Sequence, residues 1–174
     1  MNKNNIFPTL LIIIISICFY SCGDDYEPKP PASLDGEWLN EKRVLKSNDP
    51  TVDERVNSMF VRDAELLEIR RVFDVDENNP TMGAITTLAV NPQNGTYARN
   101  RKSTYTTKGD SIFIVDGILG YMSGTNIITG KRLTTISKVD KQAIKAIITE
   151  IGGDINIPML DNIEGTLTII DNKE

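Results

Sequence analysis

The stretch Ala64–Asn79, AELLEIRRVFDVDENN, alternates apolar and polar residues with a period of two. Leu67, Ile69, Phe73 and Val75 point one way, and Glu68, Arg70, Asp74 and Asp76 the other. Successive side chains of a strand project to opposite faces, so this pattern predicts a strand with one dry and one wet face. Asn78-Asn79-Pro80 breaks the run. A β-branched stretch, GAITTLAVN, follows from Gly83 to Asn91. The next turn is PQNG, in which Asn94-Gly95 supplies the positive φ of a tight hairpin.

The same texture extends to both sides. GEWLNEKRVLK (36–46) opens a first strand. TYARNRKSTYTT (96–107), SIFIVD (111–116), GILGYMSGTNII (117–128) and KRLTTIS (131–137) continue it, with Lys108-Gly109-Asp110 as one of the turns. Ile163–Asp171 is a last strand. Between the first two strands, Thr51 followed by Glu54 resembles a capping box, so a short helix is expected over Pro50–Arg62. A second helix is better marked. Asp140 is a good N-cap, and Ile144, Ile147, Ile148 and Ile151 fall on one face. Gly152-Gly153 stops it. Burying four isoleucines contributes roughly 1.5–3 kcal/mol each, so this helix must dock on something. About eight strands joined by hairpin-length connections favour an up-and-down antiparallel sheet. Closure removes its edges, which predicts a mainly β, eight-stranded antiparallel barrel with one helix before the last strand.

A chain of 174 residues suggests one domain with a tail. Hydrophobic residues make up 40% and charged residues 25%, enough for a folded core. The net charge of −5 makes the chain a poor partner for nucleic acid. It has no histidine, which removes the commonest zinc ligand, the usual general base and every imidazole-based triad. Its two cysteines, Cys18 and Cys22, both precede the folded part, which therefore has no disulfide.

Lys3 and the apolar run from Ile6 to Tyr20 read as a signal peptide, since the run is too short to span a bilayer comfortably. Ser21-Cys22 resembles the end of a bacterial lipobox, where the cysteine is lipidated and becomes the new N-terminus. An ordinary signal peptide with an incidental cysteine, or an uncleaved anchor, is the alternative. The following GDDYEPKPPASL carries three prolines, Pro28, Pro30 and Pro31, and reads as a semi-rigid spacer. Its acidic residues Asp24, Asp25 and Glu27 are similar to the export signal of some surface lipoproteins, or simply a solvated linker.

Gly36-Glu37-Trp38 on the first strand is similar to the Gly-x-Trp of lipocalins. The resemblance implies that Gly36 and Trp38 plug one end of the barrel and that a late helix packs on its outside. The whole mature chain looks like the lipocalin-like lipoproteins of Gram-negative bacteria. Residues 1–21 are then the lipoprotein signal peptide, 22–34 the lipidated Cys22 with its flexible tether, and 35–174 the lipocalin-like barrel. Such a protein is expected in the outer membrane, held by the lipid on Cys22, at the cell surface or on the periplasmic face. Its expected function is binding a small apolar or amphipathic ligand. The alternative is a packed, ligand-free barrel that meets an envelope protein.

Other features have plainer readings. Asp74-Val75-Asp76-Glu77-Asn78 starts like a calcium loop, but Asn79 and Ile85 stand where the EF-hand needs Gly and Glu, so a solvated hairpin end is expected. Gly117, Gly120, Gly124 and Gly130 lack the Lys-Ser/Thr of a P-loop and mark bends or widen the lumen. Arg99, Arg101 and Lys102, interleaved with Tyr97 and Tyr105, read as a solvated strand face, with an anion-binding mouth as the alternative. Asp110-Ser111-Ile112 is similar to a short O-glycosylation sequence and is also a turn leading into a strand. No nucleophile stands beside a base, so no catalytic residue, metal or cofactor is expected, and the ligand-binding residues are open.

Overall fold

The computed structural model describes residues 33–153 and 162–173. The expected signal peptide 1–21, Cys22 and nearly all of the tether 22–34 lie outside the described residues. Eight strands form a closed antiparallel barrel in sequential order. They are β1 Gly36–Ser47, β2 Glu68–Asp76, β3 Asn79–Val90, β4 Tyr97–Lys108, β5 Ser111–Asp116, β6 Gly120–Thr129, β7 Arg132–Asp140 and β8 Glu164–Lys173. Pairing of β1 with β8, from Trp38↔Lys173 to Ser47↔Gly165, closes the ring. This is the up-and-down antiparallel architecture expected from the hairpin-length connections. The period-two run extends less far upstream than its pattern suggests, because Ala64–Leu66 are still helical.

Two helices interrupt the meander. Helix α1, Pro50–Leu66, joins β1 to β2; helix α2, Lys141–Glu150, joins β7 to β8. The N-cap of α1 is Asp49 rather than Thr51: its carboxylate accepts from the amides of Thr51 and Val52, and Pro50 takes the first turn, where no amide donor is needed. Asp140 caps α2 as the sequence predicts, accepting from the amide of Ala143 at 2.9 Å. Gly152, at φ 76°, ends that helix.

Strand direction sorts the two ends of the barrel. β1 starts at Gly36 and leaves toward α1; β7 leaves toward α2. Both helices therefore stand at the end opposite Trp38. α2 is accordingly not packed on the outside wall. Its Ile144, Ile147, Ile148 and Ile151 are buried in the same core cluster as Val52, Val56 and Phe60 of α1 and Ile85, Ile114 and Leu167 of the barrel. The outside wall of an antiparallel sheet need bury nothing, whereas the open mouth of a barrel exposes its core, and both helices cover that mouth.

α1 also covers an edge. β1 pairs with β2 only over Gly36–Leu39, so the backbone of its upper half lacks a neighbour on that side. Asn57 supplies one, donating to the carbonyl of Leu45 at 2.9 Å and accepting from its amide at 2.8 Å. Asp53 accepts from the amide of Ser47 at 2.7 Å. An unpaired buried amide or carbonyl costs about as much as a lost hydrogen bond, so these two side chains replace the missing ladder.

At the other end Trp38 is fully buried. Its indole N–H donates to the carbonyl of Leu34 at 2.7 Å, and the Lys173 ammonium lies 5.2 Å from its ring centroid. Gly36, at φ 106°, precedes it in a conformation that a side chain would strain. Phe73 and Tyr105, in the same core cluster, pack edge to face with their centroids 5.6 Å apart. As Trp38 is the only tryptophan, its emission should be blue-shifted and resist iodide. Trp38→Ala should lower stability by roughly 3–5 kcal/mol in urea titrations. Red-shifted, freely quenched emission would contradict this packing.

Candidate ligand chamber

Between the Trp38 end and the two helices the lumen holds a chamber of about 90 Å³. Ile69, Ile85, Ile114, Met122, Leu167 and Ile169 line its walls from five strands. Phe60 of α1, Ile147 of α2 and Ile151, the C-cap of α2, line it from the covered end. Four arginines, Arg43, Arg71, Arg99 and Arg101, also face it. Burying a guanidinium is costly unless it is paired and fully hydrogen-bonded. Each of the four has a carboxylate.

The arginines form two networks. In the lower one, Arg71 pairs with Asp171, its Nε at 2.8 Å, and donates to Thr135 at 3.1 Å. Asn40 completes it, donating to Asp171 at 2.8 Å. In the upper one, Asp63 of α1 accepts from Arg43 at 2.7 Å and from Arg99 at 2.6 and 2.8 Å. Arg99 also donates to the carbonyl of Glu150 at the end of α2, at 3.1 Å. Arg101 pairs with the Glu150 carboxylate and with Asp116, whose Oδ2 lies 2.9 Å from its Nε. That Nε is near the carboxylate but poorly aligned for a hydrogen bond.

The carboxylates respond to this setting. Burial pushes the Asp63 carboxyl up, but hydrogen bonds and charge from Arg99 and Arg43 outweigh it and hold it below the ordinary Asp value. Burial likewise raises Asp116, while the Ser103 hydroxyl, the amides of Leu119 and Ile118 and the Arg101 charge bring it below. Tyr105 goes the other way: burial raises it, and the charges of Asp35 and Asp74 add to the rise.

These positions correct the solvated-face reading of β4. Arg99 and Arg101 point inward with Ser103 and Tyr105, while Lys102 is exposed on the opposite face and Tyr97 is exposed. Their ion pairs with buried acids make the inward position tolerable. Arg71 carried a sequence signal. It falls between Ile69 and Phe73 on the dry face of the period-two run. Asp63 carried one too, since Val52, Val56, Phe60 and Asp63 form one buried stripe of α1. Glu150 carried none. Gly36 and Trp38 lie at the far end and do not line the chamber. Asp76 serves the β2–β3 turn, its carboxylate accepting from the amides of Asn78 and Asn79. Among the described residues, no group of three or more His, Cys, Asp or Glu is placed to hold a metal. No helix of the described residues is long and apolar enough to cross a membrane.

No family model and no curated protein matches the chain. Among solved structures it is similar to EF1p2_mFAP2b bound to DFHBI, at 13% identity and TM-score 0.42, over 81% of this chain and 94% of that one. It is also similar to the REP1-NXSQ fatty acid transporter, at 12% identity and TM-score 0.38, over 81% and 96%. Likenesses this distant carry no weight for function.

Asp63→Asn keeps the shape and removes the charge that Arg43 and Arg99 share. Breaking a buried pair in this way should cost about 3–5 kcal/mol. The acid side gives a second reading. Carboxyls held low in the folded state stabilise it above their unfolded values, near pH 4, and this is lost as pH falls through the lower folded values. Urea midpoints should therefore drop below about pH 4 in the parent and drop less steeply in Asp63→Asn. Identical acid limbs would exclude Asp63 as a contributor.

Proposed function

We propose that the chain is an envelope lipoprotein whose barrel binds a small amphipathic molecule in the chamber between Trp38 and the α1–α2 cover. The lumen itself carries this reading: it is not packed solid, and it sets apolar walls beside guanidinium groups. A convergent set of polar groups in an apolar cavity is the usual form of a small-molecule site. The protein acts as a binding module rather than an enzyme. After loss of residues 1–21, lipid on Cys22 anchors it to the outer membrane, and 22–34 spaces the lipocalin-like barrel from the lipid. It faces the cell surface or the periplasm.

Two observations favour the other reading, a protein-interaction lipoprotein with a closed barrel. The chamber is well below the roughly 300–1,000 Å³ of ordinary ligand pockets. The outer wall of β3, β5 and β6 also presents Met82, Val115 and Tyr121, which are 44%, 57% and 65% exposed. They border a surface groove of about 710 Å³, beside the stacked pair Phe113 and Tyr121.

The two readings separate on one experiment. The chain purified from envelopes is stripped with organic solvent, and the extract is read by mass spectrometry. Lumen binding predicts a small amphiphile in the parent and its loss from Ala89→Phe, which fills the chamber. An amphiphile retained by a folded Ala89→Phe variant would place binding elsewhere. Cys22→Ala should shift the protein out of the membrane fraction, and unchanged fractionation would exclude the lipid anchor.

A further inference from the structure

The chamber's formal charges cancel. Arg43, Arg71, Arg99 and Arg101 face Asp63, Asp116, Asp171 and Glu150. An anionic head group that joins these arginines without leaving an excess negative charge in the lumen replaces one of the four acids. Three of them are fixed. The side chains of Asp116 and Asp171 are 0% exposed and that of Asp63 is 7% exposed. Asp116 accepts from the amides of Ile118 and Leu119 at 2.8 and 2.9 Å. Asp171 accepts from Asn40, and Asp63 takes hydrogen bonds from two arginines at once.

Glu150 differs in each respect. It is the least buried of the four at 20%, and it is the last residue of α2. Its carboxylate meets Arg101 and, at 4.0 Å, Arg99. The chain then turns at Gly152, whose φ of 76° suits glycine. Ile147 on the same helix and Ile151, its C-cap, supply part of the chamber's cover.

We propose that Glu150 is an internal substitute for the ligand's head group, and that the ligand is an amphiphile with a carboxylate head. This rests on the lumen reading above. The ligand's carboxylate takes the place of Glu150 on Arg101, with Arg99 beside it. One of the two ties at the end of α2 is then broken, the other being the Arg99 hydrogen bond to the Glu150 carbonyl. Ile147 and Ile151 withdraw with the helix, and the apolar tail takes the space they leave. The resting chamber is small because the protein's own carboxylate and two isoleucines occupy the site.

The test is calorimetric titration of the full chain in lipid nanodiscs, against empty discs, with octanoate and with the neutral octan-1-ol. The parent should bind octanoate at least about tenfold tighter than octan-1-ol. Glu150→Gln, which keeps the shape and removes the competing charge, should tighten octanoate by about tenfold and leave octan-1-ol unchanged. Arg101→Gln should erase the preference for octanoate. Glu150→Asp withdraws the carboxylate by one methylene and should tighten octanoate by a smaller factor, which covers the case in which Glu150→Gln does not fold. Equal affinity for the two probes, or octanoate binding indifferent to both Glu150 variants, overturns the head-group assignment and leaves lumen binding standing. No binding of either probe to protein with buried Trp38 emission overturns both.

Discussion

The interaction on which this structure depends is the carboxylate of Asp63 held between Arg43 and Arg99. It comes from a helix, and its partners come from two strands on different sides of the mouth. Without it, two guanidinium groups would face an apolar lumen with one acid fewer than they need. A buried pair is no strong source of net stability, because desolvation offsets most of the attraction. Removing one member is a different matter, since the survivor stays buried and unpaired. The network therefore specifies where α1 sits more than it raises stability, and the cover over the lumen follows from that position.

The inward direction of Arg43 has its own cause. Along β1, Trp38 and Asn40 face the interior, and strict alternation would continue to Lys42 and Val44. A bulge between Asn40 and Lys42 shifts the register by one residue. Arg43 and Leu45 then face inward, and Lys42 is exposed. One extra residue thus places a cation beneath α1, stacked 4.8 Å from Phe60 and bonded to Asp63. The same strand leaves β2 after Leu39, which makes room for the helix that brings Asp63.

What the sequence discloses of this arrangement follows from which physical signals are local. Alternation in β2, the apolar face of α2 and the Asp140 cap are local, and the element order follows from them. Which face of a strand is the inside is not local. In β4 every side chain but Ala98 is polar or aromatic, so period-two spacing is present without a sign. Arg99 and Arg101 are assigned inward only once Asp63, Asp116 and Glu150, which are 36, 15 and 49 residues or more away along the chain, come to meet them. The seat of α2 is likewise set by what the barrel leaves uncovered. Its isoleucines declare that the helix docks and are silent on where. Asp63 and Arg71 are intermediate cases, legible as charges on dry faces and easily discounted as interruptions.

The two ends of the barrel close by different physics. At the Trp38 end the closure is made of strand residues and packed rings, with the indole N–H satisfied by a nearby carbonyl. Opening it would separate paired strands and leave a large apolar void, and both costs fall on the core. At the other end the closure is two helices that bury apolar side chains in the core and are also tied to the wall by ion pairs. Charge pairs can be exchanged for other charge pairs with little net change, whereas buried aromatic packing has no substitute in water. α1 is tied in addition by Asn57 to the backbone of β1, and its carboxylate is shared by two arginines. α2 ends at Glu150, whose carboxylate meets Arg101 and whose carbonyl accepts from Arg99, and Gly152-Gly153 follow after Ile151. Of the two helices that cover the mouth, α2 is thus the one tied to the wall through the more exposed carboxylate, 20% for Glu150 against 7% for Asp63.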